Sequence, residues 1–312
     1  MSIEENRAFV KRYDDEILNG RNYDALPGLV TDDLVDPFAP PGSPGGAGPT
    51  RQAVETLVAG IPDLKVNSED IIAEGDLVGF RSTITGTHDG FLFGMPPTHQ
   101  PLHLESVQLW RIVDGKLANR WIRTDLSGFG QGMGGPPPGG PPPAEMAPQP
   151  APQPHPTDPA PDPAANKALV TEYCAEVINK HDQSALPRYL SADAIDHAAP
   201  AGFPQGQQGA AMMFGMYWGA FPTIRYDFHD MIAERDRVVV RAQLTGTHDG
   251  PFMGMPATGK PISVELLEML RCADGMIVEH WGGIQDLSLF MQLGVMPGGM
   301  PAGQSSGAGG QG

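Results

Sequence analysis

The chain has 312 residues, 40% of them apolar, with 40 Gly and 33 Pro and a net charge of −17. That length fits about two domains, and the apolar share fills real cores. The negative charge, with no basic cluster against it, excludes nucleic acid and anionic membrane surfaces as partners, and no apolar run is long enough to span a membrane.

The first predicted element is a helix. Ser2 and Glu5 form a capping-box pair, and Phe9, Val10, Tyr13 and Ile17 fall on one face. A shorter helix follows near Ala25 and Leu26, then a strand-like stretch ending at Asp36. A Gly/Pro loop leads to a third helix at about 50–60. Strands are predicted at about 64–74 and 77–88 around Gly75-Asp76, and at about 101–112 and 116–125 around Asp114-Gly115.

The same order then recurs at a constant offset of 160 positions. GTHDGFLFGMPPT at 86–98 returns as GTHDGPFMGMPAT at 246–258. From Asn6/Asn166 to Trp121/Trp281, about 40 of roughly 116 positions are identical without a gap, which is a duplicated domain and not a short solenoid unit. In the second copy Asp162 caps the first helix and Pro163 opens it, with Leu169, Val170, Tyr173 and Val177 on the matching stripe. The expected division is domain 1 at 1–132, a Pro/Gly-rich disordered linker at 133–163, domain 2 at 164–296 and a flexible Gly-rich tail at 297–312. Helices first and antiparallel strands after is an α+β pattern. Each domain is expected to be a cone, a strongly curved antiparallel sheet closed by three N-terminal helices over an apolar interior.

These residues resemble a known family. The series Asp196-His197, GTHDGPFMGMPATGKP, Arg271, Asp274-Gly275 and IVEHW ending at Trp281 is similar to that of SnoaL-like polyketide cyclases (ester cyclases) of the nuclear-transport-factor-2-like superfamily. Copy one carries the matching GTHDGFLFGMPPTHQP, Arg111, Asp114-Gly115 and ANRW ending at Trp121. The resemblance implies a small-molecule pocket in each cone and cofactor-free acid/base chemistry, an intramolecular aldol closure. In those cyclases an acidic residue usually follows the Trp as the acid/base. Here Ile122 and Gly282 stand there, so the other polar residues decide.

Strand alternation sorts them. Ile262, Val264, Leu266, Glu268, Leu270 and Cys272 share one face of their strand, apolar except for Glu268. Burial among such neighbours disfavours the charged form of a carboxylate and suits it to proton transfer. Copy one has Gln108 at that place, an amide that hydrogen-bonds and does not titrate. His280 on the next strand falls on a face that approaches Glu268, either as an orienter of a catalytic acid or as part of a satisfied buried pair. Gly282 is expected to widen the pocket.

His88 and His248 end a strand where the repeated loop begins. Either ring polarises a substrate oxygen at the cone mouth, or it fixes the loop. His197 is expected to face the cavity as a second titrating group, or to sit on a surface loop. Met95, Met255 and Phe252 offer adaptable apolar surface in a lid-like loop. The candidate catalytic set is thus Glu268, His280 and His248, and the candidate substrate contacts are His197, Met255, Phe252, Gln108, His88 and Met95.

The His residues are scattered without ligand spacing, so no metal and no cofactor is expected. The two Cys and the absence of a secretion-like start fit a cytoplasmic protein. The expected partner is a hydrophobic, carbonyl-bearing small molecule, taken up by an enzyme or by a non-catalytic carrier or resistance protein. The two copies are expected to dock as an intramolecular pseudo-dimer, or else to form a homo-oligomer.

Overall fold

A computed structural model describes residues 2–39, 42–92, 95–125, 161–200, 202–284 and 286–294. The predicted tail, and most of the predicted linker, lie outside these residues.

Domain 1 runs α1 (Ile3–Tyr13), a π-helical turn (Asp14–Asn19), a short 3-10 turn and α2 (Leu26–Leu29), then α3 (Ala47–Gly60). Four strands follow: β1 (Lys65–Glu74), β2 (Leu77–Thr87), β3 (Pro101–Val113) and β4 (Lys116–Thr124). Domain 2 repeats the order. It has α4 (Pro163–Tyr173), a π-helical turn (Cys174–Ile178), a 3-10 turn (Gln183–Arg188) and β5 (Leu190–Asp196). Then come α5 (Gly206–Ala220), β6 (Arg225–Glu234), β7 (Arg237–Thr247), β8 (Pro261–Ala273), β9 (Met276–Ile284) and α6 (Asp286–Leu293). The fold is α+β, two tandem units of helices on curved antiparallel sheets, as the alternation predicted.

The local chemistry explains the boundaries. Ser2 caps α1 in a full capping box with Glu5, and the Asp162 carboxylate accepts from Ala164 and Ala165 at the start of α4. Asp114 and Gly115 both take positive φ, 49° and 79°, the conformation a two-residue hairpin turn requires. Asp274 and Gly275 repeat it.

Sheet one has the order β1-β2-β3-β4, and sheet two β5-β9-β8-β7-β6. The extra strand β5 pairs parallel to β9, with Leu190 opposite Ile277 and Asp196 opposite His280. Domain 1 keeps only a remnant, a single parallel bridge from Val30 to Leu117. Register breaks near Glu69 and Arg111 recur near Phe228 and Arg271, and such bulges bend a sheet.

Each concave face carries its own core. Phe80 and Trp110 meet edge to face at 4.9 Å in domain 1, with Tyr13 against the same indole. In domain 2, Val240 and Leu270 occupy the equivalent places.

A third cluster lies between the domains. Ile72, Leu77, Val107 and Leu109 of domain 1 pack against Ile232, Val239, Leu267, Met269 and Trp281 of domain 2, with Trp121 beside them. The contact is reciprocal. Glu74 accepts from the backbone N–H of Ala233 at 3.0 Å, and Glu234 accepts from that of Ala73 at 2.9 Å. Arg81 lies over the Trp281 ring and Arg241 over the Trp121 ring. The sheets therefore meet back to back about a pseudo-two-fold axis.

Candidate functional site

Glu268 lies on the concave face of β8, opposite Val240 of β7 and Gly282 of β9. It is 8% exposed, but it does not stand alone among apolar neighbours as the strand pattern implied. The Tyr226 hydroxyl, from β6, donates to Oε1 at 2.5 Å. His280 Nε2, from β9, lies 3.0 Å from Oε2. The other imidazole nitrogen, Nδ1, lies 2.8 Å from Asp196 Oδ1 at the end of β5. Four strands thus supply one linear chain: Asp196, His280, Glu268, Tyr226.

The electrostatics follow from that order. Burial pulls the His280 pKa down, but the Asp196 carboxylate and the hydrogen bonds to Asp196 and Glu268 outweigh it, and the imidazole is pushed up to about 10. At neutral pH it is an imidazolium whose two N–H groups donate to Asp196 and Glu268. Burial alone would raise Asp196, and the facing His280 cation brings it below its ordinary value. Burial first, then the neighbouring Glu268, hold the Tyr226 phenol well above 10, so it remains a donor. Tyr173 and Cys174 close the floor. Burial pushes the pKa of each well up, which makes the Cys174 thiol inert as a nucleophile.

Domain 1 keeps the scaffold and replaces the titrating parts. Asp36 remains, Arg120 stands for His280, Gln108 for Glu268 and Val66 for Tyr226. Arg120 bonds Asp36 at 3.3 Å and the Gln108 carbonyl at 3.3 Å, while the Gln108 amide donates to Ser82 at 2.8 Å. Gln108 and Arg120 floor a narrow recess walled by Leu18, Phe38, Val54, Leu57, Val66, Ile84 and Leu104. Among the described residues, the buried hydroxyls of Tyr13 and, on the recess wall, Thr124 have no hydrogen-bond partner. In domain 2, Phe214, Tyr217 and Tyr226 take the places of Val54, Leu57 and Val66, giving that cone aromatic walls.

Several expected site residues lie elsewhere. His248 is fully buried, its Nδ1 3.0 Å from Thr258 Oγ1 and its ring against Phe221. It sits eight residues along β7 from Val240, the register partner of Glu268, or roughly 26 Å at about 3.3 Å per residue. Its place is in the loop, and burial lowers its pKa so that it stays neutral. His88 repeats the arrangement with Thr98 at 3.1 Å. Phe252 is a core residue 5.3 Å from Phe221, and Met255 pairs with its backbone. Met95 packs on the domain 1 core. The repeated loop is therefore packed down, with Asp249 and Gly250 donating to the Ala220 carbonyl at the end of α5.

His197 is on the convex side of β9, not in the cavity: consecutive residues of an extended chain alternate, and Asp196 takes the inner side. Gly282 does not widen the cavity. A Cβ there would meet the Leu267 carbonyl at 2.3 Å and Val107 of domain 1 at 3.0 Å. Two contributors escaped the sequence reading. Asp196 was signalled by the retention of an aspartate at that place in both copies, and Tyr226 by the parity of β6. Among the described residues, no group of three metal-ligating side chains is gathered.

Fold and site together define a tandem nuclear-transport-factor-2-like protein with a polar relay at the floor of one cone. Comparison with known families makes this more definite: the model described as SnoaL-like polyketide cyclase matches residues 8–132 and again 168–293. The chain belongs to the SnoaL-like polyketide cyclase family. It is 30% identical over 117 residues to the aklanonic acid methyl ester cyclase DauD of Streptomyces sp. (strain C5), covering 35% of this chain and 66% of that protein. It is 42% identical over 57 residues to DnrD of Streptomyces peucetius, of the same description, covering 18% of this chain and 39% of the relative. The match thus spans less than two thirds of each relative. Among solved structures, TsrD from Streptomyces laurentii is 26% identical with a TM-score of 0.40, covering 43% of this chain and 97% of that one. The polyketide cyclase-like IdmH from Streptomyces antibioticus is 30% identical with a TM-score of 0.38, covering 42% and 99%. Among the described residues, no helix is long and apolar enough to cross a membrane.

Proposed function

We propose that domain 2 carries out a cofactor-free, aldol-type ring closure on a hydrophobic substrate bearing at least two carbonyls, and that domain 1 binds such a molecule without transforming it. One observation carries the reading: the chain Asp196–His280–Glu268–Tyr226 is present in domain 2, while domain 1 keeps only the aspartate, as Asp36, and has Arg120, Gln108 and Val66 in place of the other three.

The residues divide the work by position. Glu268 takes a proton from the carbon next to one carbonyl, and the Tyr226 hydroxyl, which donates its single proton to Glu268 in the resting site, turns from the now protonated carboxyl to the enolate oxygen that develops. The enolate carbon attacks the second carbonyl, forming the new C–C bond, and the resulting alkoxide recovers the proton from Glu268. His280, charged and fixed by Asp196, orients the Glu268 carboxyl and steadies its anionic form. Relatives described as aklanonic acid methyl ester cyclases support ring closure on an ester. The Thr124 hydroxyl on the recess wall, without a hydrogen-bond partner among the described residues, supports capture of a carbonyl or hydroxyl group in domain 1.

The test is Glu268→Gln, which gives domain 2 the chemistry of domain 1. With a polycarbonyl ester, turnover is expected to fall about 10²–10⁴-fold, the usual share of a general acid/base, while binding measured by calorimetry persists. Unchanged turnover rules out the assignment. Binding without turnover in the unaltered protein leaves the non-catalytic carrier as the function.

A further inference from the structure

Behind the relay, on the convex side of β9, lies a second arrangement that joins the domains. The His197 imidazole is stacked on the Trp281 indole, centroids 4.5 Å apart and planes 6° apart. The His197 backbone N–H donates to the His280 carbonyl at 2.9 Å, and its Nε2 lies 3.2 Å from Glu279. Asp196, one residue earlier, is also clasped by Gln205, whose Oε1 accepts from its N–H at 2.6 Å and whose amide donates to its carbonyl at 3.3 Å, while the Ala198 N–H donates to its Oδ1 at 3.0 Å. The pairing of β5 with β9 breaks after Leu190 and resumes only at Ile195 and Asp196. Gln205 fixes the backbone of Asp196 from its own side of the loop, and the stack is the anchor that ties the end of this strand to β9, where His280 stands. From domain 1, the Arg81 guanidinium lies 4.6 Å from the centroid of the same indole, itself fixed by Asp70 at 2.8 Å.

We infer that Arg81, Trp281 and His197 form a positioning stack through which domain 1 holds the Asp196–His280 hydrogen bond of domain 2 in place. The inference rests on the reading of that hydrogen bond as part of the acid/base apparatus. Trp281 flanks His280 in β9 and carries the pinned segment on its face, so loosening the indole removes the anchor on the His280 side and lets the segment, still clasped by Gln205, draw Asp196 away from Nδ1.

The duplication supplies its own control. Arg241 lies 4.3 Å from the Trp121 centroid and is held by Asp230 at 2.7 Å, the mirror image of the Arg81 contact. Behind Trp121, however, Pro37 stands where His197 does, and the Asp36 partner is the permanently charged Arg120. Losing either arginine removes a comparable interface contact, but only Arg81 backs a group that titrates.

The experiment follows the His280 ring by NMR pH titration in the full chain, with His280→Gln to assign the signal. Arg81→Leu is expected to lower the midpoint by about one unit or more, the size of a weakened carboxylate partnership. Arg241→Leu is expected to leave it in place, and Arg81→Lys to restore most of the shift. The sign is diagnostic, since deleting a nearby cation acts through charge alone to raise the midpoint. No change, a rise, or equal shifts in the two leucine variants overturns the inference. Should Arg81→Leu fail to fold, His197→Ala and His197→Phe replace it. The first is expected to lower the midpoint and the second, which keeps the stack, to hold it. If both behave alike, the stack has no positioning role. Because no turnover is read, failure of the catalytic assignment through Glu268→Gln stays distinct from failure here.

Discussion

At the scale of single residues, the most informative group is His280, an imidazole between two carboxylates with its pKa pushed up to about 10. Its folded value lies above the ordinary 6.5, so protonation and folding favour each other. That stabilisation is fully present below pH 6.5 and is lost as pH rises through the folded value. Asp196 has the opposite sign: held below 3.8, it contributes above that value and loses its contribution as pH falls through the lowered one. Urea unfolding of the parent and of His280→Gln should therefore differ by on the order of 2 kcal/mol near pH 8, and the gap should close by pH 11. A gap that widens with pH would mean a neutral imidazole and a different relay. Strand parity located Glu268 and His280 in the sequence because both lie in long regular strands. It could not show Tyr226 donating to Glu268, because that contact joins side chains on β6 and β8, two strands apart and 42 residues apart in sequence.

At the scale of elements, β9 holds the lesson. The acid that the family places after the Trp has no room here. Gly282 has φ +94°, a conformation costly for any residue with a Cβ, and the Leu267 carbonyl occupies the space. Gly282→Asp is therefore expected not to restore a familiar site but to lose about 2–4 kcal/mol in urea unfolding. A variant as stable as the parent would show that the strand can relax, and that this arrangement is a choice of sequence rather than of backbone. The repeated loop shows a related limit of sequence reading. GTHDG with its Met and Pro looked like a mobile cover, because Gly and Met permit motion. Its fixation comes from contacts invisible to spacing alone: His248 with Thr258, and the amides of Asp249 and Gly250 with the end of α5. The hairpins, in contrast, were legible almost to the residue, since Asp-Gly turns depend only on local backbone chemistry.

At the scale of the whole molecule, the two sheets share the apolar face that a separate copy would have to expose. Burial of Ile72, Val107, Leu109, Ile232, Val239, Leu267 and Met269 is worth about 1.5–3 kcal/mol per side chain before ordering costs. The exposed ion pairs around them contribute about 0–1 kcal/mol each, so the apolar seam dominates. Because the seam is nearly self-complementary, a piece carrying residues 164–296 should not remain alone. It presents Ile232, Val239, Leu267, Met269 and Trp281, and its Glu234 has lost the Ala73 amide but can meet its own Ala233 across a two-fold axis. Sedimentation of that piece is expected to show a dimer at micromolar concentration, and Val239→Glu, which places a charge at the centre of the seam, a monomer. The same substitution in the full chain meets Gly79, where a Cβ would come within 2.8 Å of the Val239 side chain. There it is expected to separate the halves without dissociating anything, and to lower the unfolding midpoint of both together. A monomeric piece with Val239 intact would mean that the linker, rather than this surface, keeps the two copies together.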